Sequence, residues 1–167
     1  TLNNFDYSKL GCFGGIGFTK KYDNSFSAKN LNSKQKVQIK KIDDVLNVKQ
    51  CNFVKIDVET MELHVLKGGR NFFSTHRPIL WYENHLGPEC KVNVYLKNIK
   101  YRLFWVATTL FNRLNFNMNL NKFVYGDKIA LNVLAIPKEK FEDYKVDFLE
   151  EIIDEKSFPV KLIKHIC

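Results

Sequence analysis

Arginine is scarce in this chain. Of 26 basic residues among 167, only Arg70, Arg77, Arg102 and Arg113 are arginines, and the rest are lysines. Proteins that read base sequence lean on arginine for bidentate contacts. The net charge of +8 therefore reads as a solvated lysine surface and predicts no specific nucleic-acid partner, while an anionic substrate stays open. Cysteine is sparse too. Cys12, Cys51, Cys90 and Cys167 stand in no C-x-x-C spacing, and a chain of this length needs no disulfide staples, so they read as reduced thiols of a cytoplasmic protein. With 8 Gly and 4 Pro, collagen-like and mucin-like classes fall away. No apolar run approaches the roughly 18 residues that span a bilayer. Thr1-Leu2-Asn3-Asn4 has no charged-then-apolar leader pattern, and the missing initiator Met points to residues lost upstream. No P-loop, G-x-S-x-G, H-E-x-x-H or zinc-knuckle spacing occurs, and no internal repeat.

What is present is core material. Hydrophobic residues make up 45% of the chain and aromatics 14%, which excludes disorder for most of it. The length suits a single domain over residues 1–167. Residues 1–33 are rich in Gly, Asn and Ser and read as loop. Val37 to Ile42 alternates like a half-buried strand, and Asp43-Asp44 opens a short helical stretch to Val48. Phe53 to Val58 is a compact β-rich run. Glu59 to Lys67 has helical spacing, with Met61/Val65 and Leu63/Leu66 on one face, and Gly68-Gly69 end it before a second amphipathic turn to Phe73. Pro78 to Glu83 is again β-rich, and Lys91 to Ile99 reads as helix. Strand, helix, strand, helix predicts an α/β fold with a parallel sheet. Tyr101 to Val106 and Ile129 to Ile136 add two strands that can pair antiparallel, joined by a long Asn/aromatic connection over 107–127. Phe141 to Ile153 reads as an acidic amphipathic helix.

Ligands of open α/β sheets sit beyond the carboxyl ends of the strands. Two such ends carry polar clusters: Lys55-Ile56-Asp57-Val58-Glu59, and Tyr82-Glu83-Asn84-His85. If the strands are neighbours, Asp57, Glu59, Glu83, Asn84 and His85 meet on one rim. Such a rim can act as a general base, hold a divalent metal or hydrogen-bond a hydroxyl substrate. Singly, Asp57 or Glu59 reads as a helix-start carboxylate and Glu83-Asn84-His85 as solvated loop. Gly11-Cys12-Phe13-Gly14-Gly15-Ile16-Gly17 looks like a cofactor loop, but no hydrophobic strand precedes it, and a plain glycine turn is the better reading.

The run Val54-Lys55-Ile56-Asp57-Val58-Glu59-Thr60, the helix closing in Leu66-Lys67-Gly68-Gly69, and Arg77-Pro78-Ile79-Leu80-Trp81-Tyr82-Glu83 together resemble the FkbM-type methyltransferase family in order and spacing. The resemblance is strongest over 37–85, where Ile42-Asp43-Asp44 is similar to a segment just before the hallmark, and extends over about 11–140. It implies a Rossmann-like methyltransferase sheet, mostly parallel with an antiparallel last hairpin and with the amino-terminal strands missing. It also implies S-adenosylmethionine as cofactor and methyl transfer to an oxygen of a sugar, glycan precursor or other small hydroxylated metabolite. In that frame Asp57, Glu59, Glu83 and His85 are the catalytic candidates. Asp57 or His85 would serve as base, Glu59 and Glu83 would orient substrate or bind a metal, and Asn84 would touch the acceptor. No residue is assigned to the cofactor, and no metal set is expected. Thr60 stands where the family usually has Gly. A half sheet predicts either a homo-oligomer or a missing amino-terminal segment. The competing reading is a non-catalytic remnant acting as an interaction module.

Overall fold

The computed structural model describes residues 2–3, 34–35, 37–84, 86–112, 114–118, 128–154 and 156–159. Among them the chain forms β1 (Leu2–Asn3), β2 (Lys34–Gln35), α1 (Ile42–Val45), β3 (Phe53–Ile56), α2 (Glu62–Gly68), α3 (Arg70–His76), β4 (Ile79–Glu83), α4 (Lys91–Asn98), β5 (Tyr101–Thr109), β6 (Ile129–Pro137), a 3-10 helix (Lys138–Asp143) and β7 (Glu150–Glu151). Two compact units result: Thr1–Lys49 with Asp57–Thr75, and Gln50–Ile56 with His76–Cys167. None of the described helices is long and apolar enough to cross a membrane.

In the first unit, β1 and β2 pair antiparallel. Asp43 does more than open a helix of its own. Its two carboxylate oxygens accept from the backbone N–H groups of Asn71 (3.0 Å) and Phe72 (2.8 Å). The first amides of a helix have no partner within it, so a residue of α1 caps α3. Gly69 joins α2 to α3 with φ −117°, a conformation open to any residue. Glycine is required there by approach: a Cβ would lie 2.8 Å from the Phe73 ring and 3.1 Å from Ile42. The strand expected over Val37 to Ile42 is absent. Residues 37–41 form no regular element and are exposed, Ile39 by 71%. The alternation is present, but among the described residues it has no neighbouring strand, and a strand persists only through pairing and burial.

In the second unit the five strands take the order β3-β4-β6-β5-β7. β3 and β4 are parallel, from Phe53↔Ile79 to Ile56↔Tyr82. β6 is antiparallel to both β4 and β5, and β7 is antiparallel to β5. The mostly parallel sheet expected from the sequence is thus corrected to a mixed one in which, among the described residues, β3 and β4 are the single parallel pair. β5 and β6 form the expected antiparallel hairpin, Tyr101↔Pro137 through Thr109↔Ile129. β6, however, takes the place beside β4, and this converts both neighbouring pairs to antiparallel. β3, β4 and β5 still share one direction.

Side chains alternate across the sheet. On the α4 side, Leu80, Tyr82, Leu103, Trp105, Val133 and Ala135 are almost solvent-free, as is Leu96 of α4. On the other side, Phe104, Ile136 and Val146 form a core joined by Ile79, Leu134, Phe141 and Leu149. The helix expected over Phe141 to Ile153 is replaced by the 3-10 helix and an extended segment. Tertiary bonds override the helical spacing. Arg102 grips Glu151 through Nε (2.8 Å) and Nη2 (2.6 Å), and Ile152 N–H donates to Leu103 O (2.8 Å). These draw the segment alongside β5 and bury Val146 and Ile152.

The Arg77-Pro78 dipeptide enters β4. Arg77 Nη1 donates to Ile99 O and Nη2 to Lys100 O, its guanidinium lies over the Tyr101 ring at 4.4 Å, and Tyr101 OH donates to Pro78 O (3.0 Å). Lys140 Nζ donates to Arg77 O (2.6 Å). Burial raises the Tyr101 phenol to about 12, with Arg77 pulling the other way, so the hydroxyl stays a donor.

Candidate active site

Asp57 and Glu59 belong to the first unit, and Glu83 and Asn84 to the second. Asp57 follows directly on β3 and is exposed. The chain then turns sharply: Glu59 has φ 44° and Thr60 has φ 71°. Both lie in the left-handed region, which is rarely populated without glycine and is an outlier for a β-branched residue. Glycine would meet this backbone demand freely, and Thr60 meets it under strain. Glu62 supports the turn, its Oε1 accepting from Thr60 N–H (3.2 Å). This makes Glu62 a structural carboxylate, buried at the start of α2.

Glu83 is the last residue of β4, half-buried and in register with Asn132 of β6. Trp81, two residues earlier on the same face, donates its indole N–H to Asn132 Oδ1 (3.2 Å). Asn132 thus stands across from Glu83 on a third strand. In the sequence it is only one polar residue within a strand-like run, so nothing local marks it.

Asn84 faces the other way. It is 3% exposed, and its amide is fully engaged. Nδ2 donates to Gly87 O (3.0 Å) and to Asn93 Oδ1 (3.2 Å), while Oδ1 accepts from Leu86 N–H (3.0 Å). Asn93 of α4, wholly buried, is the hub. Its Oδ1 also accepts from Tyr82 OH (2.6 Å) and the Cys90 thiol (3.1 Å), and its Nδ2 donates to Pro88 O (2.9 Å). Burial pushes the Tyr82 phenol well up, and Cys90 acts in the same direction, so Tyr82 remains a neutral donor. The structure therefore separates Glu83 from Asn84. One ends a strand on the face away from α4, and the other locks the turn leading into α4. His85 lies outside the described residues, as does the glycine run at 11–17. Among the described residues no three His, Cys, Asp or Glu side chains gather as a metal-holding group.

Fold and site together define an α/β protein with a mixed five-stranded sheet, whose one parallel pair ends in Glu83 on β4 and runs into Asp57 after β3. The family model for the methyltransferase FkbM domain matches residues 11–104, more than half of the chain. The chain belongs to that family. No curated protein and no solved structure matches it.

Proposed function

We propose that the chain is a methyltransferase that uses S-adenosylmethionine to methylate a hydroxyl of a sugar or another small hydroxylated metabolite in the cytoplasm, on a Rossmann-like sheet. The observation that carries this reading is the family match across the two strand ends, with Asp57 and Glu59 after β3 and Glu83 closing its parallel neighbour β4. The common direction of β3, β4 and β5 supports the Rossmann-like assignment.

When bound, the cofactor supplies an electrophilic methyl group. The described residues contain no glycine-rich turn between a strand and a helix; their glycines are Gly68, Gly69 and Gly87. No described residue is therefore assigned to gripping the cofactor. The chain's own task is to align the acceptor hydroxyl and accept its proton. Asp57 or His85 takes the proton, and Glu59 and Glu83 accept hydrogen bonds from neighbouring hydroxyls. Asn84 acts through the turn it locks, since both of its amide hydrogens are engaged.

The test is titration with S-adenosylhomocysteine, followed by radiolabelled methyl transfer to hydroxylated sugars. Micromolar binding with transfer is expected, and Asp57→Asn should lower turnover by about 100-fold with an unchanged circular dichroism spectrum. Wild-type turnover in that variant removes Asp57 from the mechanism. No binding by the folded chain overturns the enzyme reading and favours an interaction module.

A further inference from the structure

At the start of β5 lies a cavity of about 310 Å³, near the lower end of the roughly 300–1,000 Å³ of small-molecule sites. It is set apart from Glu83 along the sheet, since β6 carries Asn132 opposite Glu83 and Pro137 opposite Tyr101. Its walls bring together four cations, Lys97, Lys100, Arg102 and Lys138, against one acid, Glu151. Several elements build this cluster. Lys97 lies in the last turn of α4, Lys100 in the turn into β5, and Lys138 directly after β6. Lys138 N–H donates to Lys100 O (2.9 Å), so two lysines distant in sequence are held together through their backbones. Lys100 has φ 65°, in the left-handed position just past a helix where glycine is the usual residue. A lysine holds that place at a cost in backbone strain. The carbonyl end of α4 carries roughly half a negative charge, which offsets only part of the positive excess.

The lining side chains differ in what they already hold. Arg102 and Glu151 satisfy each other through two bonds (2.8 and 2.6 Å). Tyr101 turns its hydroxyl to Pro78 O. Lys97 Nζ donates one hydrogen to Ile153 O (3.0 Å) and has two more to give. Among the described residues the Lys100 and Lys138 ammonium groups enter no ion pair. With Arg102 and Glu151 cancelling, the lining leaves the charges of the three lysines unanswered. A carboxylate would answer one of them. A phosphate monoester carries about −1.5 to −2 charge near neutral pH and three acceptor oxygens, which matches three ammonium donors. Lysine serves phosphate as a point charge where no arginine fork is free. Leu103, Ile152 and Ile153 add an apolar wall for a small organic body beside the phosphate. The adjoining cavity of about 430 Å³ shares Lys97 but is lined by Glu89 and Asp154, which repel an anion. We propose that the cavity at the start of β5, through Lys97, Lys100 and Lys138, binds a small molecule bearing a phosphate monoester. Binding there does not depend on methyl transfer and is tested without it.

The experiment is calorimetric titration of the full chain with ribose 5-phosphate in phosphate-free buffer, repeated in excess ribose. Saturable binding with a Kd below about 1 mM is expected, and ribose should not compete. The doubly substituted Lys100→Gln/Lys138→Gln chain should bind about tenfold more weakly or worse. Both positions are exposed, and circular dichroism establishes that the variant is folded. Lys128→Gln, an exposed lysine at the other end of β6, should bind as wild type. The proposal is overturned if wild type shows no binding at millimolar ribose 5-phosphate, if ribose displaces it, or if the double variant binds undiminished. An equal loss in Lys128→Gln overturns it too, because the effect would then be one of net charge. So does tighter binding of single-stranded oligothymidylate that is lost in the double variant, since the lysines would then serve a nucleic-acid backbone.

Discussion

Arg77 and Glu139, 62 positions apart, face each other through two parallel bonds, Nε to Oε1 at 2.6 Å and Nη2 to Oε2 at 2.9 Å. The same guanidinium reaches the carbonyls of Ile99 and Lys100. One side chain thus ties together the entry to β4, the end of α4 and the 3-10 helix after β6. The arginine-proline step of the family pattern is, in this chain, a structural clamp.

That clamp gives a pH prediction. The hydrogen bond from Arg77, before all other influences, holds the Glu139 carboxyl below its ordinary value of 4.5. A depressed folded value means the stabilisation is fully present above the unfolded value and is lost as pH falls through the folded one. Half of the Glu139 side chain is exposed (52%), so solvent screening keeps the contribution within about 1 kcal/mol. Glu139→Gln should melt below wild type at neutral pH, and the gap should close on acidification below about pH 4. A gap independent of pH would show that the charge pair is not its source.

Thr60 yields a stability prediction of the opposite sign to most substitutions. At φ 71° a β-branched residue pays on the order of 1–3 kcal/mol that glycine does not, less the greater freedom of glycine in the unfolded chain. Thr60→Gly should stabilise by about 1 kcal/mol in urea unfolding. A destabilised variant would mean that the threonine side chain makes a contact worth more than the strain.

The hub at Asn93 predicts a coupling. Asn93→Leu removes the acceptor shared by Tyr82 OH, Asn84 Nδ2 and Cys90 Sγ. It should destabilise by about 2–3 kcal/mol, because the Tyr82 hydroxyl is left buried without a partner. Adding Tyr82→Phe should recover part of that loss, since the orphaned donor goes with it. Strict additivity of the two changes in denaturant unfolding would refute the coupling.

How much of this was readable in advance depends on the range of the forces involved. Phe53 to Val58 and Pro78 to Glu83 announce strands because β-rich residues and their flanking breaks are local signals, and β3 and β4 lie within them. Lys91 to Ile99 likewise becomes α4. The position of β6 between β4 and β5 is a decision about partners, and no local pattern records it. The tail over Phe141 to Ile153 misleads for the same reason: Val146, Leu149 and Ile152 have helical spacing, yet Arg102 and Leu103 bond the segment to a strand edge. The placement of Asp57 just after β3 and of Glu83 at the end of β4 was legible from the strand patterns. Asn84 looked like a rim residue, but alternation at the end of β4 sends it to the α4 side. Its partner Asn93 was invisible as a buried amide within an amphipathic helix.

The placement of β6 has a consequence for how the molecule assembles. β4 and β5 are successive strands in the chain, yet they never bond to each other. The strand that joins them is made last of the three, and Leu80, already beside Val54 of β3, must wait for Ala135 to pair its other side. Until then the two earlier strands must leave a gap, each with an unsatisfied backbone edge facing it. Closing so long a loop is entropically slow, and open edges invite strands from other chains. A nascent chain stalled before residue 129 should therefore be the form of this protein most prone to aggregate.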